Sequence, residues 1–232
     1  VHFVEGNAKA ASDCFAQAAA ATPLKENKAL FSFNRFKALV EAGSFAEATN
    51  SYQEAIQLDA SRELFDSDKY KPLRVLGAGG FGIAFLCKSR VHRQPVVVKA
   101  LIGEGLDPAT VFEEGEILRD IDSPYVARVV DLAWTFRRPR REGPYIVTEH
   151  AGEMDLGDWI KEHGPLPVEH AIPLLTGIAQ GLRDAHAKGV IHRDVKPDNI
   201  LVTESGGLLL PKIIDFGLGL RTGEFRELQK SI

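Results

Sequence analysis

Cysteine is scarce in this sequence, since only Cys14 and Cys87 occur among its 232 residues. Two cysteines so far apart fit neither a disulfide framework nor the paired spacing of a zinc site. We therefore expect a reducing compartment and a cytoplasmic protein. Long apolar runs are also missing, because no stretch reaches the roughly 18 consecutive apolar residues of a membrane-spanning helix. No membrane span and no signal peptide are predicted.

An excess of positive charge is absent as well. The chain has 28 Lys and Arg against 32 Asp and Glu, which gives a formal net charge of -4. A protein with this balance has no overall attraction for nucleic acid or for acidic lipid. The only dense basic run is RRPRR at residues 137–141. One short run of this kind predicts a solvated loop between strands, so no nucleic-acid partner is expected.

The first 62 residues are rich in alanine and have the periodicity of helices, and part of this region repeats itself. Small residues and one aromatic recur after 37 positions: Gly6, Ala11, Phe15 and Ala18 return as Gly43, Ala48, Tyr52 and Ala55. This pattern resembles the tetratricopeptide repeat, which implies helix pairs that bind a partner peptide or protein. The match is partial, because Ala60 stands where a repeat would end in Pro and the period exceeds the usual length of about 34. An unrelated helical hairpin is the alternative.

From Tyr70 onwards the periodicity changes to that of strands. Three short segments rich in β-branched or aromatic residues predict strands: YKPLRVLG, GIAFLCKS and QPVVVKAL. The segment ATVFEEGEILRDI then predicts an amphipathic helix, one face of which would carry Val111, Phe112, Glu114, Ile117, Leu118 and Ile121. Two further strands, VARVVDLAWTF and PYIVTEHA, precede two helices, DLGDWIKEHG and VEHAIPLLTGIAQGLRDAHAKG. The order predicts a small β-rich lobe followed by a helical one.

Several segments carry groups suited to phosphate chemistry. LGAGGFGIA places Gly77, Gly79 and Gly82 between two strands, where backbone amides can approach phosphate oxygens. A dinucleotide-binding motif would need a helix directly afterwards, and the strand-like IAFLCKS argues against it. Lys99 ends the strand segment VVVK, and an ammonium there needs a partner because desolvation is costly. Glu114 on the following helix is the best candidate for that partner.

The stretch HRDVKPDN at residues 192–199, followed by DFG at 215–217, completes a resemblance to the protein kinases. The resemblance implies a substrate-binding base at Asp194, phosphate contacts from Lys196 and Lys99, and Glu114 as the group that orients Lys99. Asn199 and Asp215 would hold Mg²⁺. A Lys two residues after Asp194 is typical of the Ser/Thr class.

The same resemblance implies an ATP site. Its expected contacts come from the glycine-rich loop, the strands beside it, the gatekeeper and hinge, and one residue after the catalytic loop: Gly77, Ala78, Gly79, Gly80, Phe81, Gly82, Ala84, Val97, Lys99, Thr148, Glu149, Ala151 and Leu201. The chain departs from the family pattern where Ala84 replaces Val and Val97 replaces Ala. Because the small and large residues have exchanged places, the total volume is nearly kept and ATP binding is expected to survive.

Together these motifs predict an α+β, two-lobed protein-kinase-like fold with an antiparallel β N-lobe, an incomplete helical C-lobe and an N-terminal α-helical repeat segment. The expected domains are repeats at 1–62, a linker at 63–69 and a kinase domain at 70–232 that is truncated within the activation segment. The predicted function is a protein Ser/Thr kinase that uses ATP and Mg²⁺, although the 232 residues alone are expected to be inactive on protein substrates. A pseudokinase or scaffold acting through its repeats and a small-molecule phosphotransferase are the alternatives.

Overall fold

A computed structural model describes residues 7–79, 82–102, 108–137 and 141–216. The chain divides into two compact units, one of residues 1–103 and 133–147 and the other of residues 104–132 and 148–232. No helix in the described ranges is long and apolar enough to cross a bilayer.

Three helices begin the first unit: α1 (Ala8–Ala21), α2 (Lys25–Glu41) and α3 (Phe45–Leu58). Asn7 caps α1, because its side-chain oxygen accepts a hydrogen bond from the Ala10 N–H at 3.0 Å. Gly43 follows α2 with φ of 71°, a left-handed conformation in which glycine is favoured. The short connection makes α2 and α3 a helical hairpin.

A five-stranded sheet follows in the order β1-β2-β3-β5-β4. Its strands are β1 (Tyr70–Gly79), β2 (Gly82–Ser89), β3 (Val96–Leu101), β4 (Val129–Arg137) and β5 (Arg141–Glu149). β2 pairs antiparallel with both β1 and β3. Arg137 ends β4 and Arg141 begins β5, so the two ends of the predicted loop belong to strands, and residues 138–140 lie outside the described residues.

An aromatic cluster joins the helices to this sheet within the first unit. Its members come from α2, α3, the segment before β1, and the strands β1, β2 and β5: Phe33, Phe36, Tyr52, Phe65, Tyr70, Phe85 and Tyr145. Tyr52 lies at the centre, with its ring centroid 4.9 Å from that of Phe36 and 5.0 Å from that of Phe85. The helices thus share one apolar core with the strands.

The second unit contains α4 (Pro108–Arg119), α5 (Leu156–His163) and α6 (Val168–His186) together with a small sheet of β6 (Met154–Asp155), β7 (Ile200–Ser205) and β8 (Leu208–Ile213). α6 packs on β8 and on the segment around Tyr125 through glycine. A Cβ at Gly181 would lie 2.9 Å from Ile213 Cδ1 and 3.2 Å from the Tyr125 carbonyl oxygen. The absence of a side chain at Gly181 therefore lets α6 approach β8 closely.

The predicted α+β fold and its order of elements are confirmed. One detail of the predicted helix at 109–121 is wrong. Val111 is buried and Leu118 is packed against the core, but Ile117 is 39% exposed. Ile117 lies about 120° around the helix from Val111, so the inward face is narrower than the sequence pattern indicated. The domain boundaries at 62 and 69 stay predictions.

Candidate active site

In the first unit, three of the predicted nucleotide-binding residues lie side by side across the sheet. Gly77 on β1 is opposite Ala84 on β2, and Ala84 is opposite Lys99 on β3. Residues that are directly opposite each other point to the same face of a sheet. Gly77, Ala84 and Lys99 therefore share one face.

The other face of these strands is the one that the helices cover. Phe85 and Val98 are paired in register and are both fully buried, whereas Ala84 and Lys99 are only partly buried. Val97 is two residues from Lys99 and is also partly buried. Because successive strand residues point to opposite faces, Val97, Ala84 and Lys99 lie on the face away from the aromatic cluster.

The end of the turn between β1 and β2 has a backbone conformation and a close contact that require glycine. Gly79 is paired with Gly82, and Gly80 and Phe81 lie outside the described residues. Gly82 has φ of 148°, and a Cβ placed there would lie 2.2 Å from the Ala100 carbonyl oxygen. A side chain at residue 82 would therefore disrupt the pairing of β2 with β3.

In the second unit, two of the predicted catalytic residues, Asp194 and Lys196, meet the predicted metal ligand Asn199 in the loop before β7. Lys196 Nζ lies 3.0 Å from Asp194 Oδ2, and Asn199 Nδ2 donates to the same oxygen at 2.9 Å and to the Asp194 carbonyl oxygen at 2.8 Å. Asn199 is 7% exposed, whereas the side chain of Asp194 is 59% exposed. The buried amide of Asn199 therefore holds the accessible carboxylate of Asp194 in position.

The charges around Asp194 favour its ionised form. The hydrogen bond from Lys196, and after it the one from Asn199, lowers the pKa of Asp194, while Asp194 raises the pKa of Lys196. At neutral pH the loop thus presents a carboxylate and an ammonium together. Such a carboxylate can accept a hydrogen bond from a hydroxyl group, and the ammonium can contact an anionic oxygen.

His192 connects this loop to the segment after β8. Its Nε2 lies 2.9 Å from the Ile214 carbonyl oxygen, its Nδ1 accepts from the Asp194 N–H at 3.3 Å, and its ring lies 4.6 Å from that of Phe216. His192 is 1% exposed. The His192 ring therefore packs against the Phe216 ring.

A second connection runs through the backbone. The Ile214 N–H donates to the Asn199 carbonyl oxygen at 3.0 Å. Asp215 is the residue after Ile214, so this bond links the backbone before Asp215 to that of Asn199. Arg193 and Asp215 are the two described residues other than glycine with positive φ, 63° and 55°. Backbone strain of this kind costs about 1–3 kcal/mol per residue and is commonly found at functional sites.

Asn199 and Asp215 carry the oxygen ligands that Mg²⁺ prefers, so the chemistry of these two residues is compatible with the ion. Because the side-chain nitrogen of Asn199 is used by Asp194, its Oδ1 is left as an oxygen ligand. Within the described ranges no group of three or more His, Cys, Asp or Glu side chains could hold a metal ion. Mg²⁺ needs no such group, since it is usually held by one or two protein oxygens together with substrate phosphates.

The predicted hinge contains a contact that the sequence did not indicate. Glu149 Oε1 accepts from the Arg128 N–H at 3.2 Å and lies 2.6 Å from Lys212 Nζ. The Glu149 N–H in turn donates to the Arg128 carbonyl oxygen at 3.0 Å. Arg128 and Lys212 therefore hold the first hinge residue in place. No local pattern links positions 128, 149 and 212, so sequence reasoning could not find this contact.

Comparison with known proteins agrees with this geometry. The family described as protein kinase domain matches residues 70–230. The chain belongs to the protein kinase family.

Several curated relatives of the chain are named as serine/threonine-protein kinases. AfsK of Streptomyces griseus is 35% identical over 153 residues, which are 64% of this chain and 18% of AfsK. A probable serine/threonine-protein kinase of Clostridium perfringens is 35% identical over 155 residues, 65% of this chain and 22% of that protein. The chain thus spans about a fifth of the length of these relatives.

Among solved structures, Rad53 in complex with AMP-PNP has a TM-score of 0.58 and 26% identity, and the match covers 72% of this chain and 43% of that one.

The remaining predicted site residues of the chain lie on several strands, on one helix and in the segment after β5. Ala78 is on β1, Thr148 and Glu149 end β5, Ala151 follows it, and Leu201 is on β7. Glu114 lies on α4, and its side chain is outside the described residues.

Proposed function

We propose that the protein transfers the γ-phosphate of ATP to Ser and Thr hydroxyl groups of protein substrates. The observation that carries this proposal is the arrangement of Asp194, Lys196 and Asn199. An accessible carboxylate that is kept ionised is suited to accept the hydrogen bond of a substrate hydroxyl, and later its proton. The adjacent ammonium of Lys196 is suited to balance the charge on the transferred phosphate.

The nucleotide phosphates would be bound by backbone amides and charged side chains. In this proposal the amides of Gly77 to Gly82 and the ammonium of Lys99 contact the phosphates, and Glu114 orients Lys99. Asn199 and Asp215 hold Mg²⁺, which when bound neutralises charge on the phosphates. Phosphoryl transfer needs little covalent help from a protein, so positioning and charge account for most of the catalysis.

The adenine ring would be bound by apolar side chains and by the hinge backbone. Ala84 and Val97 share the sheet face that also carries Lys99, which supports their role above the ring. Leu201 is a further predicted adenine contact, and Thr148 is the predicted gatekeeper. Because the Glu149 N–H is bonded to Arg128, the adenine contacts in this proposal are the Glu149 carbonyl and the Ala151 backbone.

The experiment is phosphotransfer from labelled ATP to a generic protein substrate by the full-length protein, compared with Asp194→Asn. We expect activity to fall by about 10²-fold or more in this variant, because its amide cannot take up the hydroxyl proton. Asp158→Asn is the matched control, since Asp158 is an exposed aspartate on α5 whose ion pair with Lys161 is also at the surface. Equal activity of Asp194→Asn and wild type would contradict the proposal.

The helices α1 to α3 carry a further part of the proposal, that they are tetratricopeptide-like repeats which bind a partner protein. Support comes from the predicted small residues and aromatic of the second copy, since Ala48, Tyr52 and Ala55 are fully buried along α3. The scaffold alternative would be favoured if Asp194→Asn abolished phosphotransfer but cells carrying this variant still behaved like wild type and unlike cells without the protein. A cytoplasmic location stays a prediction from cysteine usage.

A further inference from the structure

The strand that leads into the glycine-rich turn is irregular and lies at the edge of its sheet. β1 is the outermost strand, with β2 as its neighbour on one side. Its pairing with β2 shifts twice, between Pro72 and Arg74 and between Val75 and Gly77. Such bulges leave backbone groups without a partner in the sheet, and they bend the strand. The second shift lies directly before the predicted phosphate-binding glycines.

Helix α3 supplies hydrogen-bond partners at both irregularities. The Val75 N–H donates to Thr49 Oγ1 at 2.8 Å, and Gln53 Nε2 donates to the Pro72 carbonyl oxygen at 2.9 Å. Thr49 and Gln53 are four residues apart, so they lie on the same face of α3. The Thr49 hydroxyl donates its own proton to the Phe45 carbonyl oxygen at 2.8 Å. Its oxygen is thereby oriented to accept from Val75.

The packing around these two hydrogen bonds leaves the strand little freedom. Thr49 is 6% exposed and Val75 is 4% exposed. Val75 is opposite Phe85, whose ring lies 5.0 Å from that of Tyr52 on the same helix. Ala84, the residue before Phe85 on β2, is opposite Gly77 and points to the face that carries Lys99. Helix α3 therefore contacts β1 where Val75 is paired with buried Phe85, whereas Ala84, opposite Gly77, points to the other face of the sheet.

We propose that Thr49 and Gln53 are positioning residues for the nucleotide, because they fix β1 at its two bulges and so set the path of the glycine-rich turn. This inference rests on the proposed ATP-binding function. A strand that is held in the binding-competent arrangement pays no further ordering cost when the ligand binds. If the strand is loosened, the apparent Kd rises in inverse proportion to the competent fraction.

The test is the Kd of Mg·ATP for the full-length protein, measured by titration calorimetry well below the unfolding midpoint. Thr49→Val keeps the shape of the side chain and removes the acceptor, and we expect its Kd to rise about three- to tenfold. Thr49→Ser keeps the acceptor and should bind within about twofold of wild type. If Thr49→Val lowered the midpoint but left the Kd unchanged, Thr49 would be a structural residue and the inference would be wrong.

Gln53→Met gives a second and independent variant in case Thr49→Val fails to fold. Its matched control is Gln57→Met, one turn further along α3, where the side chain is exposed. We expect a higher Kd for Gln53→Met alone, and equal values for both variants would contradict the inference. A wild-type protein that binds no Mg·ATP would overturn the proposed function, whereas intact wild-type binding with unaffected variants would overturn only the inference.

Discussion

Tyr52→Ala should destabilise the sheet as well as the helices. The Tyr52 ring is fully buried, and three aromatic rings lie around it, with centroids at 4.9 Å for Phe36, 5.0 Å for Phe85 and 6.1 Å for Phe65. Truncating a buried aromatic of this size costs about 3–5 kcal/mol, because contacts are lost and a cavity remains. That is a large share of the roughly 5–15 kcal/mol that stabilises a typical domain.

Tyr52→Phe gives the graded control. It keeps the ring and removes only the hydroxyl oxygen, which accepts from the Leu64 N–H at 2.9 Å. The expected cost is about 1 kcal/mol. A smaller loss in this variant than in Tyr52→Ala would assign most of the effect to the ring contacts.

The assay is native-state hydrogen exchange read by mass spectrometry, which reports an opening free energy for each segment. If the helices and strands share one core, Tyr52→Ala should lower the opening free energy of β2 and β3 by about as much as that of α2 and α3. A loss confined to the helices, with the amides of Val96–Leu101 as protected as before, would refute the reasoning.

Two further predictions concern the second unit. Lys196→Met removes the first cause of the lowered pKa of Asp194. The pKa of Asp194 should then rise towards its ordinary value, so that Asp194 takes up its proton at a higher pH than in wild type. An unchanged midpoint in an NMR titration of the Asp194 carboxyl would contradict this. Gly181→Ala should lower the thermal midpoint, because overpacking against Ile213 and the Tyr125 carbonyl, at about 1–3 kcal/mol, exceeds the roughly 1 kcal/mol gained in helix propensity. A raised midpoint would show that the contact is easily relieved.

Elements with a strong local pattern could be predicted from the sequence. GIAFLCKS corresponds to β2 at Gly82–Ser89, because β-branched and aromatic residues are bounded there by glycine and by polar residues. The helix predicted at 168–189 is α6 at Val168–His186, and it was recognisable from its apolar period and from Gly189 after its end. The catalytic loop was predictable for a different reason. Its residues are close together in the chain, so a short motif defines most of the geometry.

Contacts between distant segments could not be predicted. Phe36, Phe65 and Phe85 lie on a helix, an irregular segment and a strand, and their local patterns say only that each is buried. Similarly, Thr49 and Gln53 look like ordinary polar residues of a helix. Their role depends on bulges in β1 that put the backbone of Pro72 and Val75 within reach. A bulge is a property of strand pairing, and the local sequence does not define it.

The most direct test of the kinase assignment is γ-phosphate transfer to protein Ser and Thr by the full-length protein and its lysine variants. Lys99→Met removes the ammonium from the face of β3 that lies away from the aromatic cluster, whereas Lys88→Met removes an exposed ammonium from neighbouring β2. We predict labelled phosphoserine or phosphothreonine with wild type and Lys88→Met, and a loss of about 10²-fold or more with Lys99→Met. Full activity of Lys99→Met, or no transfer by wild type, would contradict the account.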